Sequence, residues 1–312
     1  MLSKIIPLHK GTLNECLFLL IKFYEIAGMK ILLYMFILMI AAVIPSSSQS
    51  EDNPETIYGV TIDDIGEIDQ IVLSLQKLPV KPTVRIVFDE WIPAEQYADA
   101  VDNIHKVSFI MGEILDSYYM KDYSKEQYEE RVKNYLDVLG DKVDIWEIGN
   151  EANGEWLGNS DYVWNKIETA CSLVKEKKMK TSLTLYYNQD CWEKPENEMF
   201  TWVNNYIPND FRKNLDYVFV SYYEDDCNEL KPDWQSVFDS LHVLFPESYL
   251  GIGECGTKYR DKKAEYMNRY YNMKINTPNY IGGYFWWYYK QDCVPYTKKL
   301  WKSLYSVLNK NK

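Results

Sequence analysis

Histidine is scarce in this sequence, with only three among 312 residues. His9 lies in the N-terminal leader, His105 precedes a predicted strand, and His242 falls within a predicted helix. Catalysis by a cysteine nucleophile generally requires a histidine partner beside the thiol. The shortage of histidine therefore argues against an enzyme of the Cys–His type.

Two short motifs are also missing, and basic residues are fewer than acidic ones. The sequence contains no CxxC pair, which argues against a zinc site, and no GxGxxG turn after the first predicted strand, which argues against a dinucleotide-binding open sheet. Acidic residues outnumber basic ones, 46 to 34, giving a formal net charge of −12. This balance argues against nucleic acid or an anionic membrane as a partner.

A long apolar run, ILLYMFILMIAAVI, occupies residues 31–44 and precedes a polar stretch. A short basic start, an apolar core and a small polar exit are typical of a secretory signal peptide, and the run is shorter than the ~20 residues of a membrane-spanning helix. We expect translation to begin at Met29, so that residues 1–28 precede the true start. Residues 29–50 would then be a cleaved signal peptide and 51–312 the mature protein. No cysteine closely follows the apolar run, so we expect a secreted or periplasmic protein without a lipid anchor or stable membrane insertion.

The mature region has an odd number of cysteines, so at least one of them is a free thiol or pairs between chains. An exported protein can form disulfides. The preferred pair is Cys191 with Cys227, because the two follow successive predicted strands. The five cysteines are Cys171, Cys191, Cys227, Cys255 and Cys293.

Short β-rich segments alternate with longer amphipathic segments from residue 57 onward. The strand candidates are 57–62, 83–88, 107–112, 143–148, 181–186, 216–221, 249–253 and 280–286. Helical spacing of apolar residues follows in 94–104, 160–178, 232–244, 261–273 and 297–309. A further helix has clear boundary signals, since Ser124 and Gln127 form a potential capping box and Gly140 ends the pattern. Eight strand–helix units in about 260 residues predict an α/β fold, a single-domain (β/α)₈ barrel.

Carboxylates and aromatic residues cluster where these strands end, which is where barrels of this type carry their active sites. Hydrolysis of a glycosidic bond needs one carboxylic acid to protonate the leaving oxygen and a second carboxylate at the anomeric carbon, while aromatic rings stack on sugars. The strand-end segments are Asp89–Trp91, Glu113–Asp116, Gly149–Glu151, Tyr186–Asn188, Tyr222–Asp226, Gly253–Glu254 and Trp286–Tyr288.

Two of these segments resemble the catalytic motifs of clan A glycoside hydrolases. IWEIGNE at 145–151 resembles the strand-4 motif that ends in Asn-Glu, and YLGIGEC at 249–255 resembles the strand-7 motif that carries the nucleophilic glutamate. The resemblance implies that Glu151 is the acid/base and Glu254 the nucleophile. It further implies a retaining double displacement on a β-linked polysaccharide or oligosaccharide, with no metal or organic cofactor.

The same resemblance implies roles for four further residues. Asn150 would hydrogen-bond the sugar 2-hydroxyl or its equivalent, and Arg85 would keep the nucleophile ionised, although it could equally neutralise buried carboxylates. Tyr223 would hydrogen-bond the nucleophile, with Tyr222 as the alternative under a one-residue shift of register. Trp286 would form the floor of the −1 subsite.

Strand alternation assigns two neighbours of these residues to other roles. Glu147 shares the parity of Glu151 and is expected inside the barrel, whereas Trp287 is expected to point outward and pack. Members of the clan often carry histidine on strands 3 and 6, and this sequence has none there, so the subfamily stays unassigned. A barrel that binds carbohydrate without cleaving it is the alternative function, because fold does not guarantee activity.

Overall fold

The computed structural model describes residues 56–311, in which eight parallel strands close into a barrel in chain order. The expected (β/α)₈ fold is therefore confirmed for this single domain. The predictions for residues 1–28 and 29–50 lie outside the described residues. The strands are β1 Ile57–Ile62, β2 Thr83–Val87, β3 Phe109–Glu113, β4 Ile145–Gly149, β5 Thr181–Tyr186, β6 Tyr217–Tyr222, β7 Tyr249–Cys255 and β8 Tyr280–Trp286.

Helices connect the successive strands and cover the outside of the barrel. Within residues 56–311 the α-helices are α1 Ile68–Gln76, α2 Ala98–His105, α3 Lys125–Leu139, α4 Ser160–Glu176, α5 Met199–Tyr206, α6 Asn209–Arg212, α7 Trp234–Leu244, α8 Lys263–Tyr271, α9 Tyr289–Cys293 and α10 Lys299–Lys310. Every predicted strand is present, and each observed boundary lies within two residues of the predicted one. This agreement arises because strands buried on both faces stand out as short apolar runs.

The capping box predicted for α3 is present. The Ser124 hydroxyl accepts a hydrogen bond from the Gln127 backbone N–H, and the Gln127 side chain accepts one from the Ser124 N–H. The helix ends at Leu139, before Gly140, whose φ of −54° is right-handed. Glycine is required there for space, because a Cβ would lie 2.4 Å from the carbonyl oxygen of Leu136.

Two apolar clusters hold the barrel together. The larger lies between the strands and the surrounding helices, and the smaller includes Met111, Ile145, Phe219 and Phe285 from four different strands. Side chains of the second cluster meet inside the barrel, because alternate residues of a strand point to opposite faces. This cluster fixes which residues of each strand point inward, and so which strand-end residues can reach a common site.

A disulfide links the segments that follow β5 and β6. It joins Cys191 to Cys227 across 36 residues, as predicted from their positions. Cys171, Cys255 and Cys293 are free and buried. Among the residues described, no helix is both long and apolar enough to cross a membrane.

Candidate active site

The structure brings Glu151 and Glu254 together at the carboxyl end of the barrel, on either side of β6. Ser221 of β6 is paired in register with Glu254 of β7, and its hydroxyl lies 2.6 Å from Glu151 Oε1. Residues paired across adjacent parallel strands point to the same face of the sheet. The two glutamates that the motifs single out therefore face one common space.

A β-bulge in β7 turns Glu254 inward. Val220 of β6 pairs with Ile252, whereas the next residue, Ser221, pairs with Glu254, so that Gly253 is passed over. A bulge inserts one residue and changes the face that the following side chain uses. Glycine suits this position, because a Cβ on Gly253 would lie 2.5 Å from Cβ of Phe219.

Glu151 lies in a strained backbone conformation two residues beyond the end of β4. Its φ of 45° is left-handed, which a residue with a side chain adopts at some cost and which often marks functional sites. Ser117 Oγ and Ser221 Oγ lie 3.1 and 2.6 Å from its two carboxyl oxygens. Burial, reinforced by the negative charge of Glu254, raises the pKa of Glu151 to about 8 despite both hydrogen bonds.

Glu254 has two different partners. The Arg85 guanidinium donates to Oε2 at 2.7 Å, and the Tyr223 hydroxyl donates to Oε1 at 2.6 Å. Burial raises the pKa of Glu254, while Arg85 and Tyr223 act in the opposite direction by stabilising its ionised form. Within residues 56–311, Glu151 has no cation among its hydrogen-bond partners, so the two carboxyls sit in environments that favour different protonation states.

Arg85 is fully buried and joins three carboxyl groups. Besides Glu254, it contacts Glu147 through Nε at 2.7 Å and Glu113 through Nη2 at 3.0 Å. Burial raises the pKa of Glu113 well above its ordinary range, while the Arg85 charge acts in the opposite direction. Arg85 therefore neutralises buried carboxylates and contacts the nucleophile candidate at the same time, so the two roles expected for it involve the same contacts.

The structure places Tyr223 on the nucleophile candidate and takes Tyr222 away from it. The Tyr222 hydroxyl instead donates to the carbonyl oxygen of Leu230 at 2.6 Å. Asn150 is buried beside Glu151, and its Oδ1 has no hydrogen-bond partner among the described residues. An amide oxygen buried without a partner carries a free-energy penalty that a ligand hydroxyl could relieve.

The expectation for Trp286 differs from the structure. Trp286 has 0% exposed surface, and its indole N–H donates to Asp292 at 3.0 Å on the outer side of β8. Because Phe285 points into the barrel, alternation turns Trp286 outward and Trp287 inward. The Trp287 ring lies 5.7 Å from the Arg85 guanidinium carbon. Trp287, which the sequence assigns to packing, therefore takes the place at the site that was expected for Trp286.

Several site residues have no signal in the sequence motifs. Ser117, Ser221 and Thr184 contact the carboxyls of Glu151 and Glu147, yet serine and threonine are common at strand ends. Strand alternation gives one usable indication: Ser221 lies two residues before Tyr223, so the two side chains are expected on the same face of the sheet. No group of three or more metal-ligating side chains suited to an ion is present within residues 56–311.

Solved structures with a similar fold include Gas2p of Saccharomyces cerevisiae. In complex with laminaritriose and laminaritetraose, it matches with a TM-score of 0.54 and 13% identity, over 83% of this chain and 65% of that chain. In complex with a ligand described as compound 8, the match has a TM-score of 0.56 and 13% identity, over 84% of this chain and 66% of that chain. The complex with laminaripentaose matches with a TM-score of 0.54 and 12% identity, over 83% of this chain and 65% of that chain.

These similarities concern the barrel fold. The chain spans just under two thirds of the length of the Gas2p chains that it matches. No protein-family model matches the sequence, and no curated protein sequence is significantly similar to it. The resemblance to clan A glycoside hydrolases is therefore supported at the level of fold, and activity has to be argued from the site itself.

Proposed function

We propose that this protein is a retaining glycoside hydrolase that cleaves a β-linked polysaccharide or its oligosaccharides. The observation that carries the proposal is the pair of strand-end glutamates in contrasting surroundings. Glu151 has a pKa of about 8 and a hydroxyl on each oxygen, while Glu254 contacts a guanidinium and a tyrosine hydroxyl. Glycosidases divide the work of an acid and a nucleophile between two such carboxyls.

In the first step, Glu254 attacks the anomeric carbon while Glu151 transfers its proton to the departing glycosidic oxygen. The C–O bond to the leaving group breaks, and a glycosyl ester forms on Glu254. In the second step, Glu151 takes a proton from water, the water oxygen attacks the same carbon, and Glu254 departs as a carboxylate. Two inversions return the original anomeric configuration.

Substrate contacts are assigned to the groups that surround this pair. Asn150 Oδ1 would accept a hydrogen bond from the hydroxyl next to the reacting carbon, which satisfies this buried amide oxygen. Trp287, in place of Trp286, would offer its ring to the apolar face of the sugar at the −1 subsite. Laminari-oligosaccharides are the first substrates to assay, because Gas2p structures with this fold contain them.

The proposal is tested by kinetics and product stereochemistry on laminari-oligosaccharides, β-mannan, xylan and galactan. Glu254→Gln should lose at least about a thousandfold in kcat, since removal of a nucleophile leaves only binding and electrostatic contributions. Glu151→Gln should lose activity on natural substrates but keep the first step on an aryl glycoside whose leaving group needs no proton. Proton NMR of the first product formed by the wild type should show the β-anomer.

The matched control is Glu155→Gln, a partly buried carboxylate four residues beyond Glu151 that accepts from the backbone N–H groups of Glu193 and Lys194. It should retain wild-type kcat. If the wild type binds these sugars, cleaves none of them, and both active-site substitutions leave the affinity unchanged, the protein is a carbohydrate-binding barrel and the enzyme proposal fails.

We also propose that the mature protein is exported. The Cys191–Cys227 disulfide supports this, because disulfides persist mainly in oxidising compartments. N-terminal sequencing of the mature protein from its native source should give a start near residue 51. A mature protein that begins at Met1 would contradict both the start at Met29 and the signal peptide.

A further inference from the structure

Both oxygens of the acid/base carboxyl are held by serines. Ser221 Oγ, from β6, lies 2.6 Å from Glu151 Oε1, and Ser117 Oγ, from the 3₁₀ turn Ser117–Asp122 after β3, lies 3.1 Å from Oε2. Both serines are at least nine-tenths buried. A distance of 2.6 Å is in the range of a hydroxyl that donates to an ionised carboxylate. The two elements that carry the serines approach Glu151 from different sides.

The direction of the Ser117 hydrogen bond is set by Trp156. The indole N–H of Trp156 can only donate, and it lies 3.0 Å from Ser117 Oγ. With this donor occupying one lone pair, the Ser117 hydroxyl proton is free to point at Glu151. The sequence of contacts is therefore Trp156 to Ser117 to Glu151, with each N–H or O–H donating to the next group.

The charged and titratable groups around Glu151 come from four further elements. Glu254 on β7 and Asp116 after β3 oppose a negative charge on Glu151, and both raise its pKa. Tyr186 at the end of β5 and Tyr223 after β6 face it; burial raises the pKa of each phenol, and the charge of Glu151 adds to this effect, behind that of Glu254 at Tyr223. The serine hydroxyls are thus the groups whose contacts lower the pKa of Glu151 within this surrounding.

We propose that Ser117 and Ser221 are positioning residues that stabilise the ionised form of Glu151, so that one carboxyl can act first as acid and then as base. After Glu151 has given its proton to the leaving oxygen, both hydroxyls donate to the resulting carboxylate. The remaining lone pair then accepts the proton of the attacking water as the bond to Glu254 breaks. The catalytic part of this inference rests on the proposed function, whereas the hydrogen bonds themselves do not.

Direct titration of Glu151 tests the hydrogen bonds without reference to activity. In the full-length protein labelled with ¹³C at the glutamate carboxyls, the resonance lost in Glu151→Gln identifies the group, and its shift is followed against pH. The wild type should titrate near pH 8, the pKa that burial and Glu254 give Glu151. Ser117→Ala and Ser221→Ala should each raise this pKa by about one unit, a tenfold gain in proton affinity, because a donor to the charged form is lost.

Conservative and matched variants separate this role from a general loss of packing. Ser221→Thr and Ser117→Thr keep the hydroxyl and should restore most of the wild-type pKa. Trp156→Phe removes the indole N–H together with part of the ring but leaves the Ser117 hydroxyl in place, so its effect on the Glu151 pKa should be smaller than that of Ser117→Ala. Ser248→Ala is the control, because Ser248 is equally buried but donates to the Leu215 carbonyl oxygen outside the site. It should leave the Glu151 titration unchanged.

Activity measurements give the second readout. In Ser117→Ala and Ser221→Ala, the basic limb of the pH profile of kcat/KM should move to higher pH together with the Glu151 pKa. On substrates for which breakdown of the glycosyl-enzyme limits the rate, kcat should fall. An unchanged or lowered Glu151 pKa in both variants overturns the inference. If the wild type has no glycosidase activity but the titration shifts as expected, the proposed function fails and the serine contacts stand.

Discussion

At the scale of single residues, the contrast between the two glutamates comes from what each carboxyl oxygen touches. Glu254 accepts from one cation and one phenol, whereas Glu151 accepts from two neutral hydroxyls. An opposite charge lowers the pKa of a carboxyl and burial raises it. These contacts support the proposed assignment of Glu254 as nucleophile and Glu151 as acid/base, in addition to the motif resemblance.

Tyr223→Phe tests this contrast at the nucleophile. Losing the phenol hydroxyl removes a donor to Glu254, so the pKa of Glu254 should rise and ionisation should need a higher pH. The acidic limb of the kcat/KM profile should move upward by about one pH unit, with the Arg85 contact retained. Tyr222→Phe is the matched control, because its hydroxyl binds the Leu230 carbonyl oxygen. An acidic limb that moves equally in both variants would contradict a specific role for Tyr223.

Residue types at strand ends could be read from the sequence, but their partners could not. Arg85 and Glu254 are 169 positions apart, and their contact exists only because the barrel closes. Glu113 was visible as a strand-end carboxylate, yet its contact with Arg85 and its raised pKa depend on complete burial. Ser117 carries no distinguishing pattern, and only strand alternation relative to Tyr223 points to Ser221.

At the scale of elements, the orientation of a side chain depends on local departures from alternation. The bulge in β7 at Gly253 lets Glu254 share a face with Ser221, and the inward Phe285 on β8 turns Trp286 out. Strand boundaries could be predicted to within two residues because apolar runs mark them. The sequence could not predict which of Trp286 and Trp287 faces the inside of the barrel, because either aromatic side chain could pack on either face of β8.

Gly253→Ala tests whether the bulge positions the nucleophile. The added Cβ would overlap Phe219, and relieving that overlap should cost about 1–3 kcal/mol of stability and displace the adjacent Glu254. The matched variant is Gly251→Ala, on the same strand as Gly253 but farther from the site, and its Cβ would lie 2.5 Å from the carbonyl oxygen of Gly282 on β8. Thermal unfolding gives the melting temperature of each variant. The kcat values are then compared at a temperature below both melting temperatures.

We expect both glycine variants to lose stability and only Gly253→Ala to lose more than about tenfold in kcat per folded molecule, as misplacement of a reacting group does. If the two variants lose kcat equally, or if Gly253→Ala keeps full kcat while losing stability, the bulge has no special role in placing Glu254.

At the scale of the whole molecule, eight strand–helix units bring residues from strands 2 to 8 to one site in the barrel. The fold could be predicted from the alternation of elements, because the number of units and the chain length suit a closed parallel barrel. The net charge of −12 is compatible with a neutral sugar polymer as substrate and unfavourable for polyanions. The chemistry that we propose for the barrel depends on Glu151 and Glu254, which lie together at this end.

The most direct test of the central claim is to trap the glycosyl-enzyme. The wild type is incubated with an activated 2-deoxy-2-fluoro-β-glucoside or the corresponding laminaribioside, in which fluorine slows breakdown of the covalent intermediate. Peptide mass spectrometry should find one glycosyl group per protein, on the peptide that contains Glu254, and Glu254→Gln should remain unlabelled. A label on another residue, or rapid cleavage of the natural substrate with an α-anomer as the first product, would contradict the account.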